Sequence, residues 1–434
     1  MIKQVKTNFV PLLGVIFTTI LFLLTNNCEN PVEPDGLDTW SFAGADTTIG
    51  INEQLEFYGE VSDSLANIVK YEWDFDGDGV YDWNASSNTT ANYTYDELGE
   101  YEAVFRVTDA DNFSDADTRM VTASVWSYKN NLPASGQVCV VENSMYLFGS
   151  KVYKYNSIND NWEIHSDTGH SNLSKCVEYA GKAYFFNMTW RFSGQYQTSF
   201  FHQFYDSQAI EYDPENDIWI EYDIQEVEIP QSLCTNMINE NHIKVSKAEN
   251  IISIFLLKGG YDSNCGEMES SRFNYLPSSN VWQFREVLSP PRSGSIVSGL
   301  SDQDDWNLNH QYVYIFGGIR TPSMTSGTYY ALNTAQKFNY GTTGYSSLAN
   351  VPKVITSGAA DSFNDGIYIF GGSDYGGETY NSVYYYSPSS NTYTEKTPML
   401  TPLSHYSLQA VNFQNDIYII YSSSIFRYQP LYDN

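Results

Sequence analysis

The sequence predicts an all-β protein, and its composition is the first observation that predicts it. Tyr, Phe and Trp make up 16% of the 434 residues. These residue types favour half-buried strands, and the 29 glycines and 15 prolines supply turns between strands. Lys plus Arg total 22 against 52 Asp plus Glu, a formal net charge of −30. Because phosphate binding needs clustered cations, this charge argues against nucleic acid and anionic lipid surfaces as partners.

The N-terminus has the pattern of a secretory signal. Lys3 and Lys6 precede an apolar segment that runs from Phe9 to Leu24 and is shorter than the ~20 residues of a membrane-spanning helix. Cys28 follows at the start of a polar stretch and resembles the lipidated cysteine of bacterial lipoproteins, although the residues before it depart from that pattern. We expect a lipoprotein-type signal over residues 1–27 and a tether over 28–37. Ordinary signal cleavage and an uncleaved anchor remain alternatives.

These features predict an exported protein on the outer side of a bacterial envelope, at the outer membrane or cell surface. The lipid on Cys28 would be its sole attachment to the membrane, and a secreted form is the alternative. We expect a monomer.

Residues 38–125 contain short alternating segments separated by turn residues, as in an immunoglobulin-like β-sandwich. Three motifs stand in order here: YEWDFDGDG at 71–79, YDELGEY at 95–101 and VTD at 107–109. Together they resemble the PKD domain, and the resemblance covers essentially the whole segment. It implies a sandwich that acts as a spacer.

The turn at 74–82 also has the spacing of a calcium loop. Asp74, Asp76 and Asp78 alternate along it, and Asp82 follows. Alternating carboxylates are the ligands of the first half of an EF-hand loop, so one hypothesis is a Ca²⁺ site at these four residues. However, Ala85 stands where the closing Glu would be. The alternative is that the carboxylates accept hydrogen bonds from turn amides, and we expect no other cofactor.

Residues 126–434 repeat one pattern six times, an apolar segment followed by an aromatic pair at spacing seven. The apolar segments are MYLFG (145–149), AYFF (183–186), IISIF (251–255), YVYIFGG (312–318), IYIFGG (367–372) and IYII (417–420). The complete aromatic pairs are Tyr155/Trp162, Tyr212/Trp219, Tyr275/Trp282, Phe338/Tyr345 and Tyr386/Tyr393. A repeat of this length predicts a β-propeller.

The sixth aromatic pair is expected to be split. Tyr428 has no partner seven residues on in the sequence, and Trp126 lacks a first member before it. Pairing these two residues would make an N-terminal strand the outer strand of the last blade, which closes the ring and removes exposed sheet edges. We therefore predict a six-bladed propeller closed by an N-terminal strand.

The segments that end in Gly-Gly, at 317–318 and 371–372, resemble kelch repeats. The resemblance spans residues 126–434 but loses the Gly-Gly pair in three repeats. It implies a kelch-like propeller and leaves the function open, because kelch propellers include both enzymes and binding scaffolds.

The second repeat offers the candidate ligand site, on the outer propeller face that carries the connections between the second and third strands of each blade. The segment 187–207 is interpreted as a long loop, and long loops often serve function. The candidate binding residues are Trp190, Arg191, Phe192, Tyr196 and Gln203. Flat rings beside amides and a guanidinium suit sugar rings or a protein partner. The alternative is that the rings pack the loop onto its own blade.

Four cysteines follow Cys28, and none has metal-ligand spacing. Cys234 and Cys265 are both expected on the outer face, so we predict a disulfide between them. Cys139 and Cys176 fall in inner strands, where a buried free thiol is the commoner outcome, and whether these two cysteines pair stays open.

No enzyme signature is present. The two-His, two-Tyr set of galactose-oxidase-like copper enzymes and the arginine-rich pattern of sialidases are both missing, as are GxSxG and HExxH. We expect a surface binding or adhesion protein for glycans or protein partners, in which the PKD spacer presents the propeller. The alternatives are a secreted carbohydrate-active enzyme, an oxidase or glycosidase with a divergent site, and a structural component without a dedicated ligand.

Overall fold

The computed structural model describes most of two β-rich units. The described residues are 41–62, 67–167, 169–170, 173–193, 202–229, 243–248, 251–257, 261–262, 266–267, 270–288, 292–301, 311–320, 330–339, 343–374, 376–405 and 407–433. Among them no helix is long and apolar enough to cross a membrane. The predicted signal, Cys28 and the tether lie outside the described residues.

The first unit is a β-sandwich. Its strands are β1 (Ser41–Phe42), β2 (Thr47–Gly50), β3 (Gln54–Tyr58), β4 (Glu60–Val61), β5 (Ile68–Asp74), β6 (Trp83–Ala85), β7 (Thr90–Thr94), β8 (Gly99–Asp109) and β9 (Ser114–Ser124). One sheet has the order β2-β9-β8-β5-β6, and β3 pairs with β7 across the core. Trp73 is fully buried between Phe57 and Phe105, with ring centroids 5.0 and 4.9 Å away.

The second unit contains, in the described ranges, six sheets with four antiparallel strands in sequential order. The unit begins with β10 (Trp126–Lys129). The first sheet comprises β11 (Gln137–Val141), β12 (Ser144–Phe148), β13 (Val152–Asn156) and β14 (Asn161–Ser166). The second comprises β15 (Val177–Tyr179), β16 (Lys182–Ser193), β17 (His202–Asp213) and β18 (Ile218–Glu221), and β19 (Gln225–Ile229) pairs with β17 as a fifth strand. The third comprises β20 (Ile243–Ala248), β21 (Ile251–Leu256), β24 (Ser270–Leu276) and β25 (Val281–Leu288), with the small hairpin β22 (Tyr261–Asp262) and β23 (Gly266–Glu267) between.

The remaining three sheets follow the same order. They are β26 (Ile296–Ser301), β27 (Gln311–Arg320), β28 (Tyr330–Asn339), β29 (Tyr345–Ser347); then β30 (Ala359–Phe363), β31 (Gly366–Phe370), β32 (Val383–Ser387), β33 (Thr392–Lys396); and β34 (Gln409–Phe413), β35 (Asp416–Tyr421), β36 (Ser424–Tyr428), β10. Short 3₁₀ turns occupy Pro277–Ser279 and Pro430–Tyr432. Each inner strand contacts the next, and β34 contacts β11, so the sheets form a closed ring. The predicted fold, an all-β chain with a sandwich and a kelch-like propeller, is confirmed.

The aromatic pairs at spacing seven are cross-strand neighbours. Tyr212 lies opposite Trp219, for example, with ring centroids 4.6 Å apart. The split pair forms in the same way, because Trp126 of β10 lies opposite Tyr428 of β36 with centroids 4.7 Å apart. Trp126 is buried, and its indole N–H donates to Thr397 O at 3.1 Å.

A hydrogen bond from the tyrosine hydroxyl to the residue five positions further along the chain reinforces these pairs. This bond was not predicted from the sequence. Tyr155 donates to Asp160 at 2.7 Å, and Tyr428 donates to Asp433 at 2.6 Å. Asp433 also accepts from the N–H and hydroxyl of Thr397. The C-terminal segment therefore holds the last two sheets together although the outer strand of the sixth comes from the N-terminal side.

The sandwich joins the propeller without a linker. Only Val125, which is buried, separates β9 from β10. Backbone N–H groups of Ile51 and Gln429 donate to Ser124 O and Val125 O, each at 2.9 Å. Glu53 of the sandwich forms ion pairs with Lys129 and with Arg427, the latter at 3.2 Å.

Ring closure gives a stability prediction. We expect Trp126→Ala to lower the free energy of unfolding by about 3–5 kcal/mol, since it removes a large buried side chain from the closing pair. Tyr128→Ala is the matched control, because Tyr128 lies on the same strand but is 58% exposed; its effect should stay within about 1 kcal/mol. Urea unfolding followed by circular dichroism measures both, and equal effects of the two substitutions would contradict the closure.

Candidate binding surfaces

The predicted loop of the second sheet is largely a paired arm. β16 and β17 continue as antiparallel partners from Ala183↔Tyr212 out to Ser193↔His202, well beyond the length of the other strands of that sheet. The interpretation of 187–207 as an irregular loop was therefore wrong for 187–193 and 202–207. In 187–193, Met188, Trp190 and Phe192 alternate with polar residues, and the loop interpretation overlooked this signal of a strand.

The candidate ligand residues lie toward the far end of this arm. Trp190 is in register with Tyr205, Arg191 with Phe204, and Phe192 with Gln203. The side chains of residues 190–193 and 202–204 lie outside the described part of the structure, as does Tyr196 entirely. The backbone register thus brings Trp190, Arg191, Phe192 and Gln203 to neighbouring positions on two paired strands.

The arm is packed against the neighbouring sheet as far out as Tyr205, the pairing partner of Trp190. Tyr205 is 1% exposed, and its ring meets Phe273 of the third sheet at 5.5 Å between centroids. Met188 and Val227 are buried in the same cluster. β19 pairs with the segment 203–207 of β17 and adds a fifth strand. These contacts brace the arm against the neighbouring sheet, so Met188 and Tyr205 serve packing.

The six inner strands surround a channel of about 770 Å³. Lys175 and Lys244 line it, together with Ile296, Ala359 and Gln409. Burial lowers the pKa of Lys244 to about 8. Burial, and then the charge of Lys244, hold the pKa of Lys175 well below its usual range. The sequence reasoning missed this pair because the two lysines are far apart in the chain.

A disulfide joins two neighbouring inner strands beside the channel. Cys139 of β11 is bonded to Cys176, which directly precedes β15, with their Cα atoms 5.8 Å apart. The two cysteines are therefore not the buried free thiols that we expected as the commoner outcome. Adjacent propeller sheets bring their inner strands into contact, so two inner-strand cysteines at nearly the same level are within bonding distance. The predicted Cys234–Cys265 pair lies outside the described residues.

The aspartate turn of the sandwich fits both hypotheses drawn from its sequence, a cation site and a turn held by hydrogen bonds to its carboxylates. Carboxylate oxygens of Asp74, Asp76 and Asp78 lie within 4.8 Å of one another, which is close enough to share a cation. The two oxygens of Asp74 also accept the N–H groups of Gly77 and Gly79 at 2.8 and 2.9 Å. Asp82 accepts the N–H of Phe75 instead. The turn is thus hydrogen-bonded without a metal, and calcium binding stays a prediction.

Comparisons with known proteins agree with these two architectures. Residues 39–125 match the profile of the PKD domain, and residues 357–400 match the profile of the kelch motif. The chain contains a PKD domain and a kelch motif. No curated protein matches it. A solved structure described as "Structure of YjhT" is similar over 70% of this chain and 95% of its own, with 12% sequence identity and a TM-score of 0.47.

The matched kelch motif covers the fifth sheet, where the Gly-Gly pair has a clear backbone role. Gly371 and Gly372 have φ angles of 60° and 94°, which favour glycine. A Cβ on Gly371 would lie 2.3 Å from Leu403 O, and the N–H of Gly372 donates to that same oxygen at 2.7 Å. The pair therefore lets the chain pass close to the segment that leads into the sixth sheet.

Peptide mapping tests the cysteine pairing. We expect a non-reduced digest of the protein to contain a linked peptide pair with Cys139 and Cys176, and a second pair with Cys234 and Cys265. Alkylation without reductant is the control, because free thiols would be labelled and disulfides would not. Labelling of Cys139 and Cys176 in the folded protein would contradict the first bond, and labelling of Cys234 and Cys265 the second.

Proposed function

We propose that the protein is an exported, lipid-anchored surface protein whose PKD domain presents the propeller as a binding module for glycans. PKD and kelch domains together suggest a binding or adhesion role. The single observation that carries the assignment is the paired arm, which holds an aromatic and polar set in register at its far end.

The chemistry of this set favours sugars. Aromatic rings cover the apolar faces of pyranose rings, while amides and guanidinium groups bond their hydroxyls. Trp190 and Phe192 supply rings on one strand of the arm, and Gln203 is in register with Phe192 on the other. Because β19 and the third sheet brace its base, the arm can hold these residues in place without a large entropic cost on binding.

Two further observations support export. The Cys139–Cys176 disulfide is the kind of bond that persists in oxidising compartments outside the cytosol. The net charge of −30 keeps an exposed protein soluble and disfavours self-association. Both agree with the signal-like N-terminus and with Cys28 as the lipidated residue.

The alternative is a carbohydrate-active enzyme, because an enzyme could bind the same class of ligand. In the described part of the chain, one group of at least three His, Cys, Asp or Glu side chains is close enough to share a metal ion, and it lies in the PKD domain. The arm of the second sheet offers rings, an amide and a guanidinium, which contact sugars without reacting with them, so we propose binding rather than catalysis.

A glycan array tests the proposal. We expect the exported protein to bind a defined set of glycans, and Trp190→Ala and Phe192→Ala each to weaken that binding about tenfold or more, because a stacked ring contributes at least ~1.4 kcal/mol. Tyr330→Ala is the matched control, since Tyr330 is an exposed ring on β28 of the fourth sheet, away from the arm, and it should bind as the parent does.

Three results would contradict the proposal. Absence of any glycan bound on the array would favour a protein partner or a structural role. Unchanged binding by both arm variants would place the site elsewhere on the propeller. Turnover of a bound sugar in a glycosidase or oxidase assay would make the protein an enzyme.

A further inference from the structure

Lys175 and Lys244 occupy the same level of neighbouring inner strands. Lys244 lies opposite Phe255, the last residue of the IISIF segment. Lys175 stands two residues before Val177, which pairs with Tyr184, so it lies level with Phe186 at the end of AYFF. Three further strands place Ile296, Ala359 and Gln409 at this level, opposite the last apolar residue of their own segments. We call these five residues the mouth ring.

The two ammonium groups of the mouth ring have no carboxylate partner among the described residues. The ion pairs that the structure describes involve other lysines, such as Lys129 and Lys182. The acids that line the channel are Glu142, Glu178 and Asp361. Glu178 is three positions and Glu142 five positions further along the inner strands, which is about 10 and 17 Å from the mouth ring at ~3.3 Å per residue.

Asp361 is nearer to the mouth ring but is engaged with the backbone. Its two carboxylate oxygens accept the N–H groups of Ser362 and Asn412 at 2.8 and 2.7 Å. Glu178 likewise accepts the N–H of Gly181 at 3.0 Å in the turn at the far end of its strand. The channel is therefore cationic at one end and acidic at the other.

The protein places two cations side by side here although it carries only 22 Lys and Arg in 434 residues. Burial lowers the pKa of both side chains, and the charge of Lys244 adds to this effect on Lys175, so the doubly charged state is costly. An anion between them would offset this cost. Two partly buried ammonium groups in one cavity, without a carboxylate partner among the described residues, have no evident structural benefit unless an anion binds them.

The other three residues of the mouth ring indicate which further chemical groups such a ligand would carry. Ile296 and Ala359 are buried apolar residues that line the channel on the next two inner strands, β26 beside the Lys244 strand and then β30. Gln409 accepts the N–H of Val138 through its side-chain oxygen, which leaves its amide nitrogen as a donor. A volume of about 770 Å³ is within the usual range for small-molecule sites.

We propose that the mouth ring is a binding site for a small organic oxyanion, a carboxylate or a phosphate held between Lys175 and Lys244, with its apolar part toward Ile296 and Ala359. A polymer of phosphates is disfavoured by the overall charge of −30, which repels extended polyanions. A single oxyanion feels mainly the two nearby lysines, because charges beyond ~8 Å are screened at physiological salt.

This site is separate from the arm of the second sheet and does not depend on the glycan proposal. In the second sheet the channel is lined by residues 175–180, at the innermost strand, whereas the arm extends from the second and third strands, β16 and β17. Loss of either kind of binding would leave the other unaffected.

Calorimetry with three matched sugars tests the site on the exported protein. Glucuronate and glucose 6-phosphate carry the oxyanion, and glucose is the neutral control. We expect at least one of the two anions to bind and glucose not to bind at the same concentration. Binding of glucuronate alone would assign a carboxylate ligand, and binding of glucose 6-phosphate alone a phosphate ligand.

Substitutions locate the binding. Lys175→Met and Lys244→Met should each weaken it about tenfold or more, since each removes one of two charges that contact the anion while keeping the aliphatic stem. Lys353→Met is the matched control, because Lys353 is exposed and lies outside the channel. The proposal fails if neither anion binds, or if both channel variants bind as tightly as the parent.

A labelling experiment on the unsubstituted protein covers the case in which a variant does not fold. Amine acetylation at pH 8 followed by peptide mapping should modify Lys244, whose lowered pKa leaves a large neutral fraction. The bound anion should protect Lys175 and Lys244 several-fold and leave Lys353 unchanged. Equal labelling of both channel lysines with and without the anion would overturn the proposal.

Discussion

The pairing of β10 with β36 is the contact on which the rest of the molecule depends. It supplies the outer strand of the sixth sheet from residues that directly follow the sandwich, with Trp126 packed on Tyr428. Without it the sixth sheet would expose an edge, and neither end of the ring would be held. The hydrogen bonds that the Asp433 carboxylate accepts from Tyr428 and Thr397 tie the same region to the fifth sheet. One short strand thereby closes the ring and joins the two units.

The closed ring also explains how functional groups come together. Residues from separate repeats reach one level only because six inner strands surround a common channel. Lys175 and Lys244 are neighbours for this reason, and so are Cys139 and Cys176. The same closure fixes the PKD domain, since Ile51 and Glu53 contact residues 427–429 at the end of β36. The PKD domain is therefore held directly against the end of the ring.

Local periodicity predicted the fold, because each repeat carries its own aromatic pair and apolar segment. The split pair of Trp126 and Tyr428 could be predicted too. Trp126 lacks the first member of an aromatic pair and Tyr428 lacks the second, and pairing the two residues completes the sixth sheet. The arm was missed because a long segment between two strands was interpreted as a loop, although β16 and β17 pair far beyond the sheet. The disulfide and the lysine pair were missed because they depend on the register between repeats.

The most direct measurement of ring closure is amide hydrogen exchange of the protein, followed by mass spectrometry of its peptides. Peptides that cover residues 126–129 and 424–428 should exchange together and as slowly as those from β34 and β35, because strands of one cooperative sheet open only with the whole ring. Fast exchange at 126–129 while 417–421 and 424–428 stay protected would show that β10 is a dispensable edge, and would contradict closure by this strand.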